Sequence, residues 1–220
     1  MSEFETARQN MVDGQLRPTK VTDRRVLEVM GALPREMFVE KSLQGIAYVD
    51  EDIEVAPGRY LMEPVVLARL VQALELTRSN SVLVIGAATG YDSALIGSMA
   101  GPVVVVESSV ELAEKASIVI NHLGIDNVAV VVGALELGYA GQAPYDVVFF
   151  CGSIDDVPDD IVRQLAPNGR IVAVQGGGEK GVLGRACLMT RSGDSLSKRV
   201  LFDAGTRPLP GFAREAAFVF

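Results

Sequence analysis

The chain has 220 residues, with 20 Lys and Arg against 28 Asp and Glu and a formal net charge of −8. An acidic surface repels phosphate backbones, which sets nucleic acid aside as a partner. No apolar run reaches the roughly 18 residues of a membrane-spanning helix. The length suits one α/β domain over 1–220, a helical region over 1–80 preceding a sheet over 81–220.

In chain order, the opening segment MSEFETARQN is acidic and polar and does not read as a signal peptide. A helix is expected over 5–16. Asp23 is placed to cap a second helix through Met30, which Gly31 ends. Pro34 starts a short turn through Phe38, 47–52 is polar and turn-like, and 53–55 suits a short strand before the Pro57-Gly58 turn. Pro64 opens an amphipathic helix to about residue 76, with proline at its favoured first position.

From residue 81 the pattern alternates. Strands are expected at 82–86, 103–107, 127–132, 146–151 and 170–175, and helices at 90–99, 109–123 and 158–166. Val/Ile-rich strands without polar alternation imply a sheet buried on both faces, and strand–helix alternation implies a parallel, doubly wound sheet. After Gly176-Gly177-Gly178, segments 185–190 and 197–202 read as a hairpin, and 213–220 as a last strand. Cys151 and Cys187 read as free thiols of a cytoplasmic protein whose core needs no staple. With one histidine, His122, and no Cys/His cluster, a zinc site is not expected.

The segment VLVIGAATGY at 82–91 carries the chemistry. An apolar strand runs into a glycine-bounded turn and a helix, the arrangement that holds a nucleotide-like ligand in α/β domains. The next apolar run, 103–106, ends in Glu107, a carboxylate placed to accept both hydroxyls of a ribose. Together they point to an adenosine-type cofactor bound by Gly86, Ala87, Ala88, Gly90, Glu107 and Ser108. The plainer reading of both glycines is a tight turn, that of Glu107 a solvated strand end, and that of Asp146 a loop cap.

An ordered series of blocks extends along the chain: MVDGQLRP, DRRVLEVMGALPREMFV, AY at 47–48, GRYLMEPVVLA, GAATGY, HLGIDNV, APYD and QLAPNGRIVAV. It resembles the protein-L-isoaspartate (D-aspartate) O-methyltransferase family. The resemblance implies the Rossmann-like sheet of S-adenosylmethionine-dependent methyltransferases, with N-terminal helices and a C-terminal antiparallel hairpin. It also implies S-adenosylmethionine as cofactor, isoaspartyl residues of damaged proteins as substrate, and methylation of their free α-carboxylate. That nucleophile has a pKa of about 4 and is ionised at pH 7, so no general base is required; catalysis is positioning.

Three stretches depart from the family pattern. The loop before Pro64 carries Met62 where the family has a substrate-binding serine, and Glu63 where it has glutamine. Val84 replaces an acidic residue two before the turn. Gly133-Ala134-Leu135 replaces a Gly-Asp-Gly whose aspartate meets the adenine amine. Arg59 and Tyr60 offer donors to a carboxylate from the same loop; the commoner fate of such an arginine is a surface pair, here with Glu63 or Glu54. Two functions therefore stand open: the family reaction, or a relative with weak or no methyl transfer that binds proteins or takes another substrate. A dinucleotide oxidoreductase fits neither the N-terminal blocks nor the hairpin.

Overall fold

The structure, a computed structural model, describes residues 2–177, 182–193 and 195–212. The strand expected at 213–220 lies outside them. Two helices, α1 (Glu3–Met11) and α2 (Arg24–Ala32), lead into a two-stranded ribbon, β1 (Ile53–Ala56) and β2 (Arg59–Leu61), and then α3 (Pro64–Ala73). The large sheet follows: β3 (Val82–Ile85), α4 (Tyr91–Gly97), β4 (Val103–Glu107), α5 (Val110–His122), β5 (Val128–Val132), β6 (Tyr145–Ile154), α6 (Asp159–Arg163), β7 (Leu165–Gln175), β8 (Gly184–Ser192) and β9 (Ser195–Ala204).

Among the described residues this sheet has the order β5-β4-β3-β6-β7-β8-β9. The first five strands in that order are parallel, and β8 and β9 add an antiparallel hairpin. The chain builds outward from β3 to β5 and then returns to the other side of β3 with β6. This reversal leaves a crevice beyond the carboxyl ends of the central strands, where such sheets take ligands. All four residues of β3 are buried, as a strand covered on both faces requires.

Helix starts follow the side-chain chemistry. Ser2 and Glu5 form a capping box on α1, Asp23 accepts from Arg25 N at the start of α2, and Ser109 accepts from Leu112 N at the start of α5. The expected first helix is divided: regular α geometry ends at Met11, and Val12–Leu16 continues in the wider π form. Gly31 lies inside α2 rather than ending it, facing the Val12 side chain, while the helix closes at Leu33. α3 ends at Ala73, short of residue 76, and β7 begins at Leu165 rather than 170, pairing its start with Tyr145.

A continuous apolar cluster includes Met11, Leu16, Met30 and Phe38 of the N-terminal region together with Val84, Val105 and Val172 of the sheet. The helices therefore cover one face of the sheet and bring the 58–63 loop to the rim of the crevice.

Candidate functional site: the crevice at the ends of β3 and β4

The turn after β3 needs unusual backbone geometry. Gly86, Ala88 and Gly90 take φ values of +75°, +48° and +96°. A Cβ added at Gly90 would stand 2.9 Å from the Ala116 Cβ of α5, so this glycine serves close packing of turn against helix. Ala87 closes the turn by accepting from Gly90 N at 2.8 Å. Ala88 donates its N–H to Glu107 Oε2 at 2.9 Å.

Glu107 is fully buried at the end of β4. Its carboxylate meets Arg59 of β2 fork to fork, with Nη1 donating to Oε1 at 2.5 Å and Nη2 to Oε2 at 2.7 Å. Ser109 N donates to Oε1 at 3.0 Å, and Ser108 Oγ lies 3.4 Å from the same oxygen. Arg59 Nη2 also donates to Gly86 O at 2.8 Å. Two guanidinium and two backbone donors thus fill the usual capacity of a carboxylate, with the Ser108 hydroxyl as a longer fifth. This corrects the expectation for Arg59. It forms no surface pair with Glu63 or Glu54; its guanidinium passes under the loop into the crevice and is only 7 % exposed.

The space beside Gly86 is also taken. A Cβ built there would lie 2.6 Å from Leu209 Cδ2, 3.3 Å from Arg59 Nη2 and 3.3 Å from Leu135 Cδ1. Leu209 is fixed by a hydrogen bond from its N–H to Ser153 O at 2.9 Å. Leu135 is buried, Ala134 is exposed, and Gly133 N donates to Glu107 O at 3.1 Å. The residue types fit an adenosine, with a glycine turn, a strand-end carboxylate and apolar walls. In this arrangement the carboxylate that would take the ribose is already bonded to Arg59, Ala88 N and Ser109 N, and Leu209 and Arg59 crowd the room above Gly86.

The loop side of the crevice is acidic. Met62 is buried and its carbonyl accepts from Arg35 Nη2 at 2.6 Å. Arg35, itself fully buried, also donates to Ala47 O at 2.7 Å and lies 4.7 Å over the Tyr91 ring, tying the loop to α4. Glu63 is half-buried beside Asp52, whose Oδ1 accepts from Glu63 N at 2.9 Å. Burial, with Asp52, Asp50 and Glu51 nearby, pushes the Glu63 carboxyl up to about 7. Tyr60 is half-buried, with the Arg207 guanidinium 5.5 Å over its ring.

Other singled-out residues are structural. Asp146 Oδ2 accepts from Ser81 N at 2.8 Å, pinning the start of β6. Cys151 and Cys187 are buried, unbridged thiols; burial and the neighbouring Asp92 raise the Cys151 pKa. Asp92, fully buried, is itself pushed up to about 6 by desolvation. His122 ends α5. The sequence reading missed Leu209, Arg207 and Arg35. The REMF segment of 35–38, a charged pair between apolar residues, is the signal that could have pointed to Arg35 as a buried tie.

A family model described as "Protein-L-isoaspartate(D-aspartate) O-methyltransferase (PCMT)" matches residues 6–194. The protein-L-isoaspartate O-methyltransferase of Koribacter versatilis is 35% identical over 208 residues, covering 94% of this chain and 92% of the relative. A second relative, protein-L-isoaspartate O-methyltransferase 2 of an Anaeromyxobacter species, is 36% identical over 172 residues, covering 78% of this chain and 71% of its own. A solved protein-L-isoaspartate O-methyltransferase superposes with a TM-score of 0.81 at 26% identity, covering 93% of this chain and 66% of that one. The chain thus spans about two thirds of that structure's length. A Plasmodium falciparum structure, titled a putative protein-L-isoaspartate O-methyltransferase in complex with S-adenosyl-L-homocysteine, shares the fold with a TM-score of 0.72 at 17% identity, covering 94% of this chain and 98% of that one.

Proposed function

Since the chain belongs to the protein-L-isoaspartate(D-aspartate) O-methyltransferase family, we propose that it methylates the α-carboxylate of isoaspartyl residues in damaged proteins, a repair reaction, with S-adenosylmethionine as methyl donor. The observation that carries this reading is the match over residues 6–194, which takes in the glycine turn, Glu107 and the 58–63 loop. When bound, S-adenosylmethionine supplies an activated methyl group. The protein's part is then to hold a carboxylate that is already nucleophilic.

Tyr60 and Arg207, stacked at the loop, are the donors left for that carboxylate, since Arg59 is committed to Glu107 and Met62 has no donor. Glu63 opposes the substrate's charge when ionised and accommodates it when protonated. Reading 1–220 as one domain is supported by the shared core of the N-terminal helices and the sheet. Among the described residues no helix is long and apolar enough to cross a membrane. A cytoplasmic setting is supported by two unbridged thiols, and a protein rather than a nucleic-acid substrate by the net charge of −8.

The test is calorimetric titration with S-adenosylmethionine and S-adenosylhomocysteine, followed by methylation of an isoaspartyl peptide. Micromolar binding and peptide methylation are expected of an efficient enzyme. The Arg59–Glu107 pair favours a second reading, a relative with weak methyl transfer. Under that reading, millimolar binding and slow turnover are measured instead.

A further inference from the structure

We propose that this chain carries its own occupant for the nucleotide crevice: the Arg59 guanidinium, backed by Leu209, holds Glu107 in place of a ribose, so that adenosine enters only when the Arg59–Glu107 pair opens. The proposal rests on the methyltransferase reading above and adds to it a closed resting state.

Three observations carry it. The first is hydrogen-bond capacity. Each Glu107 oxygen accepts one Arg59 donor and one backbone N–H, from Ser109 at Oε1 and Ala88 at Oε2. A ribose diol needs two of those positions. The Ala88 and Ser109 amides belong to the turns that end β3 and β4 and stay in place, so the Arg59 donors are the ones that must leave. The second is space. Leu209 and Arg59 both crowd the Cβ direction of Gly86, the side from which a ligand approaches such a turn, and Leu209 likewise stands 2.9 Å from a Cβ built at Gly152 at the end of β6.

The third is where Arg59 comes from. It projects from β2, half of a two-stranded ribbon that is hydrogen-bonded as a separate sheet from the seven-stranded one. Its turn glycine, Gly58, takes a φ of +68° with nothing within 4 Å of an added Cβ. Ile53, Val55 and Leu61 anchor this ribbon in the main apolar cluster, so the Arg59 side chain is the part that withdraws, leaving the pairing of β3 with β4 undisturbed. On the loop after β5, Ala134 presents no carboxylate to an adenine amine.

The measurement is calorimetric binding of S-adenosylhomocysteine to the full chain and to Arg59→Ala, Leu209→Ala and the double variant, each checked for native circular dichroism. A closed state populated at nine parts in ten lowers apparent affinity about tenfold. The expected result is therefore binding about tenfold or more tighter in Arg59→Ala, with a smaller gain in Leu209→Ala, which keeps the ion pair and covers the case in which loss of the arginine prevents folding. Wild-type affinity equal to or better than that of the folded variants overturns the closed state while leaving the methyltransferase reading intact. Absence of binding by the wild type and by every folded variant overturns both.

Discussion

Arg59 and Glu107, 48 residues apart, form a bidentate ion pair of 2.5 and 2.7 Å in which the side chains are 7 % and 0 % exposed. A pair so far from water is held together less by its own attraction than by the penalty for separating it, since each charge has already lost its hydration. Removing one partner leaves the other buried and uncompensated. We expect Arg59→Met or Glu107→Leu alone to cost about 3–5 kcal/mol in denaturant unfolding, and the double change to cost less than either single one. Additive losses in the double variant would show that the two side chains contribute independently.

The β-ribbon and the crevice differ in how legible they were. The strand runs 82–85 and 103–107 are continuous valine, leucine and isoleucine up to the closing glutamate, and that composition suits only a sheet covered on both faces. The hairpin was readable from its Arg-Ser-Gly turn. The glycine turn and Glu107 were readable as a pair because their spacing is local to one β-α-β unit. The direction of Arg59 was not. Sequence neighbours offered it Glu54 and Glu63, whereas the carboxylate it takes is brought in by sheet topology. Leu209 was equally silent, since a leucine among prolines near the chain end carries no sign of the crevice it fills.

Glu63 makes stability and binding depend on pH. Burial and three neighbouring carboxylates raise its pKa from 4.5 to about 7 in the folded chain. Between those values the folded state holds more protons than the unfolded one, so stability falls as pH rises from about 4.5 to 7. Asp92, raised from 3.8 to about 6, contributes in the same direction over the lower part of that window. Glu63→Gln, which restores the residue type of the family pattern, is expected to flatten the upper part of the profile in thermal melts taken from pH 4.5 to 7.5. It should also lower KM for an isoaspartyl peptide above pH 7, where the native carboxylate is charged. An unchanged melting profile would mean that Glu63 titrates near its ordinary value.

Gly90 and Gly58 both have positive φ, yet they should respond differently to alanine. At Gly58 the new methyl meets nothing within 4 Å, so only the backbone preference is lost, about 1–2 kcal/mol. At Gly90 the methyl arrives 2.9 Å from Ala116 Cβ and 3.2 Å from Ile120 Cδ1, adding overpacking of about 1–3 kcal/mol against a helix that cannot retreat from the sheet. Chemical denaturation of Gly58→Ala and Gly90→Ala should therefore rank the second as the more damaging. Equal losses would place the cost in the backbone alone.

Restoring the family pattern's polar side chains at 62 and 134 should not be symmetric. Ala134 is exposed and precedes the short helical turn Leu135–Leu137, so an aspartate there finds water and lies at a position where acidic side chains cap helical turns. Ala134→Asp should leave stability within about 0.5 kcal/mol of the native chain, as surface changes do. Met62 is 1 % exposed within the main apolar cluster. Exchanging it for serine removes a long side chain from a packed site and buries a hydroxyl, at an expected cost of about 2–5 kcal/mol. Melting curves for the two single variants therefore separate the cofactor side from the substrate side: the aspartate can be restored without loss of stability, whereas the serine requires the loop 58–63 to repack. A Met62→Ser variant as stable as the native chain would show that the side chain leaves the core in solution, and that this loop is freer than its packing indicates.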